Sequence, residues 1–281
     1  MPLFSHYGDI PDNSAALSLP SLVFVILTPI VVATRLLGRQ YLSGQIGPDD
    51  WIILTSCVFA ETVSIQMIVV CRWAFGKHED DVSKELLIRT LKLYFIAQIL
   101  YKINIGLSKI SILLLYLRLF IQRWFVITCW TWIVIITAFT LSTVVSSIFQ
   151  CSPVQYAFDK SSPDQGSCIN LTAFWYANAA FNIFSDLALV ALPVPVISRL
   201  QLPLRLKLIL CCIFAVGAFV CITSILRITT LDIATSYLDI TWNSIDSSKW
   251  TVIESNLGII SACLPALRRP LAFLSPRLFG K

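Results

Sequence analysis

Seven apolar runs, each about as long as a bilayer demands, dominate the sequence. They cover residues 19–37, 51–71, 93–118, 124–149, 172–196, 207–229 and 250–267. A helix rising 1.5 Å per residue needs about 20 apolar residues to cross a hydrocarbon core about 30 Å thick. A membrane β-barrel would instead show ~10-residue segments of alternating polarity, and these runs are longer and continuous. Composition points the same way: 57% of residues are hydrophobic and 13% charged, against about 45–50% and ~25% in soluble domains. A soluble fold of this size could not cover such a surface with polar groups. A soluble globular enzyme, a disordered chain and a disulfide-stapled secreted domain are thereby excluded. The expected fold class is all-α, a polytopic transmembrane bundle of seven helices.

Basic residues set the expected orientation, because cytoplasmic flanks carry the excess of Lys and Arg. One side holds eleven: Arg35, Arg39, Arg118, Arg123, Arg199, Arg205, Lys207, Arg268, Arg269, Arg277 and Lys281. The other side holds seven, five of them in one loop beside Glu79, Asp80, Asp81 and Glu85. The N-terminus is therefore expected outside and the C-terminus in the cytoplasm. Residues 1–18 contain Asp9 and Asp12 but no Lys or Arg, so they lack the basic start of a signal peptide. They read as an extracellular N-terminus before an uncleaved first helix. Residues 19–267 form the transmembrane domain, and residues 268–281 a short basic cytoplasmic tail. Trp51 and Trp124 fall at inner ends, and Trp73, Trp175 and Trp250 at outer ends, where amphipathic rings favour the interface. The basic inner face would attract anionic lipid by ~1 kcal/mol per residue, and it offers a surface to a cytoplasmic signalling partner. The lipid bilayer is the expected surrounding, and no nucleic acid partner is expected.

The longer outer loops are residues 72–92, 150–171 and 230–249. Val82, Leu86, Leu87 and Leu91 have helical spacing, so this stretch either extends the third helix or lies on the membrane surface. The run Gly76-Lys77-His78-Glu79-Asp80-Asp81 reads as a solvated polar loop, since contiguous residues cannot all face one metal ion. Six cysteines (Cys57, Cys129, Cys211, Cys212, Cys221 and Cys263) fall within spans, where a thiol packs as a small hydrophobe. Cys71, Cys151 and Cys168 fall on the oxidising side. The favoured disulfide is Cys151 with Cys168, within one loop; Cys71 pairing with either is the alternative. Asn170-Leu171-Thr172 matches the glycosylation pattern but sits too close to the membrane to be modified.

Charges inside spans are costly, and they face the bundle interior in pairs. Six occur here: Glu61, Lys102, Lys109, Asp186, Arg227 and Glu254. Three acids and three bases leave the interior neutral. Matching depths at 1.5 Å per residue suggests Lys102 with Glu61, Lys109 with Asp186, and Arg227 with Glu254. Lys102 and Lys109 share one face of the third helix, while Asn104, Ser108 and Ser111 lie on the other. A helix polar on both sides belongs at the centre of a bundle. Asn178, Asn182 and Asp186 repeat at i, i+4 and i+8, giving the fifth helix a polar stripe. Such a network can switch between two arrangements or conduct protons. It can equally be interhelical glue, worth ~0.6 kcal/mol per hydrogen bond.

The stretch from Gly106 through Ser108, Lys109, Ser111, Tyr116 and Arg118 to Phe120 resembles the third-helix signature of the fungal rhodopsin-domain family. Gly47-Pro48-Asp49-Asp50-Trp51, Phe75-Gly76-Lys77-His78, Cys151-Ser152-Pro153 with Cys168, Asp186 with Leu192-Pro193-Val194-Pro195, Arg227, Glu254 and Cys263-Leu264-Pro265 resemble it too, in order along the chain. The resemblance implies a multi-pass, receptor-like membrane protein, some of whose relatives are associated with surface sensing and some with secondary-metabolite gene clusters. It does not imply retinal: the opsin chemistry needs a Schiff-base lysine in the last helix, and residues 250–267 contain none. No cofactor is expected. The third span ends Leu117-Arg118-Leu119 without an acid-Arg-Tyr motif, and the seventh lacks Asn-Pro-x-x-Tyr. Coupling to heterotrimeric G proteins is therefore not assumed. Two functions are expected to compete. One is a plasma-membrane sensor of an unknown extracellular ligand, with the buried charges as its switch. The other is a small-solute or proton-coupled transporter using the same charges. A membrane enzyme ranks last, because no metal cluster, nucleophile elbow or phosphate loop is present.

Overall fold

A computed structural model of the chain describes residues 12–43, 46–78, 81–159, 166–198, 217, 219, 222–227 and 240–274. Helices α1 (Ala15–Ser43), α2 (Pro48–Trp73), α3 (Lys84–Leu119), α4 (Arg123–Ile148) and α5 (Leu171–Ala191) follow one another. The short α6 (Val194–Ser198) and the long α7 (Ile240–Leu274) complete the described helices, and residues 222–227 are helical as well. Between α4 and α5, β1 (Cys151–Ser152) pairs antiparallel with β2 (Ser167–Cys168) around a 3-10 turn, Val154–Ala157.

Local chemistry sets several of these boundaries. Pro48 opens α2, where its missing N–H costs nothing, and the Gly47 N–H donates to Asp50 Oδ2 at 3.0 Å. Asn170 accepts from the Ala173 N–H at 3.1 Å and so caps α5. The α5 helix stops at Ala191, just ahead of Pro193, which has no N–H to carry the hydrogen-bond ladder on.

Five helical stretches are long and apolar enough to span a membrane: Ala15–Tyr41, Pro48–Trp73, Lys84–Leu119, Arg123–Ile148 and Leu171–Val196. They coincide with the first five apolar runs. Most of the sixth run, 207–229, lies outside the described residues, as do Cys211, Cys212 and Cys221. The seventh run lies in α7, which starts at Ile240 and ends at Leu274, well beyond both ends of residues 250–267. Half of the expected loop 230–249 is therefore helix. Similarly α3 starts at Lys84, so the apolar spacing of Leu86, Leu87 and Leu91 extends the third helix.

α3 is central, packed against α2, α4 and α7, while α1 packs on α2 and α7. Large apolar side chains cover the outer surfaces. On α1, Leu19, Val23, Ile26, Ile30 and Leu37 are exposed; on α4, Ile127, Trp130, Val134, Leu141 and Val145 are. Their three- and four-residue spacing marks one face of each helix. In water such stripes would be a liability; against acyl chains they are the solvated surface.

The loop after α2 departs from its expected character. It is not a solvated polar loop: Phe75 and Lys77 are buried, and His78 stacks on Trp242 at 4.6 Å. The Gly76 N–H donates to the Thr241 carbonyl at 3.2 Å, and the Gly76 carbonyl accepts from the Asn13 N–H at 3.0 Å. The loop thus ties the start of α1 to the start of α7. Gly76 holds φ at +92°, and a Cβ there would fall 2.5 Å from the Ser14 nitrogen; only glycine fits. Glu79 and Asp80 lie outside the described residues. At the same end Cys151 is bonded to Cys168, while Cys71 is a buried free thiol, as are Cys57, Cys129 and Cys263.

Candidate functional site

Two ion pairs meet inside the bundle. Lys109 on α3 lies 3.1 Å from Asp186 on α5. Its ammonium also donates to Asn182 Oδ1 at 2.5 Å and to Ser185 Oγ at 2.6 Å. Arg227 lies 3.1 Å from Glu254 on α7. Tyr101, about two helical turns before Lys109 on α3, donates to Glu254 Oε2 at 2.8 Å and accepts from Arg227. Asn182 and Ser224 join the pairs into one network: both reach Glu254 Oε1, and Ser224 Oγ also lies 3.4 Å from Asp186 Oδ2. All these side chains are buried. Two cations and two anions cancel, as burial in a medium of low dielectric requires.

Depth matching assigns two of the three expected pairs to the partners observed and misassigns the third. Lys102 does not reach Glu61. Its ammonium donates to Ser147 Oγ on α4 and lies 4.6 Å from the Phe174 ring on α5. Glu61 sits on a different face of the bundle: Val58 and Ile65, three before and four after it, are 60% and 51% exposed. Its Oε1 is buried without a hydrogen-bond partner among the described residues. Depth fixes only one coordinate, and the azimuth of α2 turns Glu61 away from α3.

The polar stripes divide in the same way. Asn104 is a true interhelical bridge, donating to Ser255 at 2.5 Å and accepting from Ser56 at 2.5 Å. Ser111 donates to the Asp49 carbonyl at 2.9 Å. Ser108 and Asn178 instead donate to carbonyls of their own helices, at Ile105 and Phe174. Asn182 belongs to the central network.

A second buried charge cluster was not anticipated from the sequence. Arg35 is fully enclosed, although its sequence position places it among the basic residues of one membrane face. Its Nε donates to Asp50 at 2.8 Å, Nη2 to Asp49 at 2.7 Å and Nη1 to the Ala262 carbonyl at 2.7 Å. Arg39 and Arg118 each approach Asp49 to 3.5 Å. The cluster joins α1, α2, α3 and α7 at the end opposite the disulfide. The available signal was the adjacent Asp49 and Asp50 on an otherwise basic face.

Above the central network, toward the disulfide, lies a cavity of about 860 Å³. Phe158, Ile169 and Asn170 of the β1–β2 region roof it, and Lys109, Asn182 and Arg227 form its floor. Tyr94, Phe95, Phe139, Trp175 and Phe181 line its walls, with Lys102 projecting between them. Its volume lies within the ~300–1,000 Å³ of small-molecule sites. Below the network a second cavity of about 60 Å³ is lined by Ser108, Lys109, Asp186, Glu254 and Ser261. A water needs only ~10–15 Å³ of such space.

Comparison with known proteins adds descent to geometry. The chain is 28% identical to a polyenoic acids biosynthesis gene cluster protein, Ba17b, of Metarhizium anisopliae, over 92% of this chain and 74% of that protein. It is 36% identical to a SAT4 family membrane protein of Emericella nidulans, over 68% of this chain and 49% of that protein. It is 26% identical to a protein named Receptor GIN3 of Arthrobotrys oligospora, over 100% of this chain and 67% of that protein. The chain thus spans between half and three quarters of these relatives' lengths. No solved structure matches it. The fungal rhodopsin domain matches residues 34–273, which takes in both buried charge clusters and the cavity. The chain therefore belongs to the fungal rhodopsin domain family of multi-pass membrane proteins.

Proposed function

We propose that this protein is a receptor-like sensor without catalytic activity. It would cross the plasma membrane seven times, with its N-terminus outside and its C-terminus in the cytoplasm. A small ligand would enter the large cavity from the outer side, and the four-charge network beneath would be the two-state element that ligand biases. The observation that carries this reading is the shared lining: Lys109, Asn182 and Arg227 are at once cavity floor and network members. A ligand touching them alters the surroundings of both ion pairs directly. Similarity to a protein named as a receptor supports the same reading. The basic face around Arg118 and Arg123 would meet a cytoplasmic signalling partner.

A transporter is the second reading, and one observation favours it. The two cavities lie on opposite sides of the Lys109–Asp186 pair and share Lys109 and Asn182 as lining. A conduit would need that arrangement.

Asp186→Asn separates the two. It keeps the side-chain shape and removes the charge that holds Lys109. Tagged wild type and variant are recovered from native fungal membranes, and their cytoplasmic partners are compared, including any Gα subunit released by a non-hydrolysable GTP analogue. For a sensor, partner recovery shifts between the two proteins while proton and solute flux in reconstituted vesicles stays at background. Flux in wild-type vesicles that the variant loses, with unchanged partners, would sink the sensor reading.

A further inference from the structure

The large cavity is not neutral. Four basic side chains line it, Lys84, Lys102, Lys109 and Arg227, against one acid among the described residues, Asp159. Lys109 and Arg227 are each matched by a carboxylate, Asp186 and Glu254. Lys102 is different. Its described partners are the Ser147 hydroxyl and the face of Phe174, and no carboxylate lies within ion-pair distance among the described residues. Ser147 is itself committed, since its hydroxyl donates to the Thr143 carbonyl at 2.5 Å. An ammonium carries three donors, and a single hydroxyl oxygen does not satisfy them. A ring face attracts a cation but supplies no counter-charge. An ammonium enclosed among apolar walls is costly unless an anion joins it.

The cavity's shape narrows the choice. It follows α3 from Lys84 to Lys102, eighteen residues, or about 27 Å of helix. Its walls along that length are mostly leucine, isoleucine and aromatic, with Gln98 of α3 and Ser244, Ser247 and Ser248 of α7 as polar points among them. An extended, mostly apolar body with one terminal charge fits such a space; a compact polyanion does not, because one cation alone lacks a partner. We propose that the cavity binds an amphipathic monocarboxylate with an extended hydrocarbon chain, its carboxylate paired with Lys102. This rests on the reading of the cavity as a ligand site and specifies the ligand's chemistry. The carboxylate would then lie within two helical turns of Lys109 on the same face of α3, so an occupied Lys102 would act on the network through its field as well as by contact.

The test uses the full chain in nanodiscs of zwitterionic lipid at near-neutral pH. Radiolabelled dodecanoate is titrated, dodecanol and dodecyltrimethylammonium serve as competitors, and partition into empty nanodiscs is subtracted. Saturable dodecanoate binding is expected, at least about tenfold tighter than dodecanol, with no competition from the cation. Lys102→Met should erase the preference for acid over alcohol, and Lys102→Arg should retain it. The acid-to-alcohol ratio in the wild type needs no variant to fold. Equal binding of dodecanoate and dodecanol, or a preference that survives in Lys102→Met, would overturn the anion assignment and leave the cavity a ligand site. Failure of all three probes to bind saturably would overturn the proposal together with the cavity reading beneath it.

Discussion

The guanidinium of Arg35 spends its donors on three groups that belong to two other helices: Asp49 and Asp50 on α2 and the Ala262 carbonyl on α7. Removing it would leave two adjacent buried carboxylates to Arg39 and Arg118, which approach only to 3.5 Å. Breaking a buried pair on one side costs ~3–5 kcal/mol. Arg35→Ala should therefore lower the unfolding temperature in detergent sharply and reduce folded yield. Arg35→Lys should rescue little, because an ammonium cannot form the planar fork that reaches both acids. A variant melting with the wild type would show that the cluster is not what joins α1 to its neighbours. This residue also marks a limit of sequence reading. The basic-residue count assigns Arg35 to a membrane face by its place along the chain, and that count is blind to depth within a helix. Lys109 was legible because it stands well inside an apolar run, where a charge has no exit, and Arg227 because it falls within the end of another at the depth of Glu254.

Between elements, the approach of α3 to α4 turns on a missing side chain. A Cβ on Gly106 would lie 2.5 Å from Thr140 Oγ1 and 2.9 Å from its methyl group. Close helix contact through small residues is the main means of association where lipid is as apolar as the side chains. Gly106→Val should push α3 from α4 and lower the thermal stability in detergent by ~1–3 kcal/mol, the usual range for overpacking. Thr140→Ala removes both offending atoms and should recover part of that loss, whereas the same substitution in the wild type should change little. A double variant no better than Gly106→Val would show that the strain lies elsewhere. The apolar runs disclosed α1 to α5 nearly to the residue at several ends, because hydrocarbon thickness sets helix length directly. The outward extensions of α3 and α7 were harder to read. Their periodicity continues past the membrane, where length no longer carries information. Glu61 and Lys102 fall at matching depths but on faces that do not meet, and a single sequence carries no record of how neighbouring helices are rotated.

At the scale of the molecule, one end of the bundle is closed by Cys151–Cys168 and the Gly76 loop, the other by the arginine cluster. The proposed orientation puts the disulfide outside. On intact cells, a membrane-impermeant maleimide should label the protein only after mild reduction, through Cys151 and Cys168, because the described free cysteines are buried. A C-terminal tag should be reached by antibody only after permeabilisation. Labelling that needs permeabilised cells even after reduction would reverse the orientation. The sequence showed the membrane class, five of the helical spans and the central location of α3 through its two polar faces. It singled out Lys102, Lys109 and Arg227 but held no sign of the large cavity they line, since that space is formed by residues drawn from several helices and the β1–β2 region, most of them not distinctive alone.

The neutrality of the central network has an electrical consequence. A charge carried across a membrane potential exchanges about 2.3 kcal/mol per 100 mV with it. Lys109 with Asp186, and Arg227 with Glu254, form dipoles of zero net charge. If each pair shifts as a unit, the two contribute no net gating charge, and the resting potential of the cell has little purchase on them. Lys102, with no carboxylate of its own among the described residues, keeps its unit charge in the field. The central network would thus be deaf to voltage, and a carboxylate arriving at Lys102 would cancel that charge, leaving Glu61 as the charge within the spans on which the potential still acts.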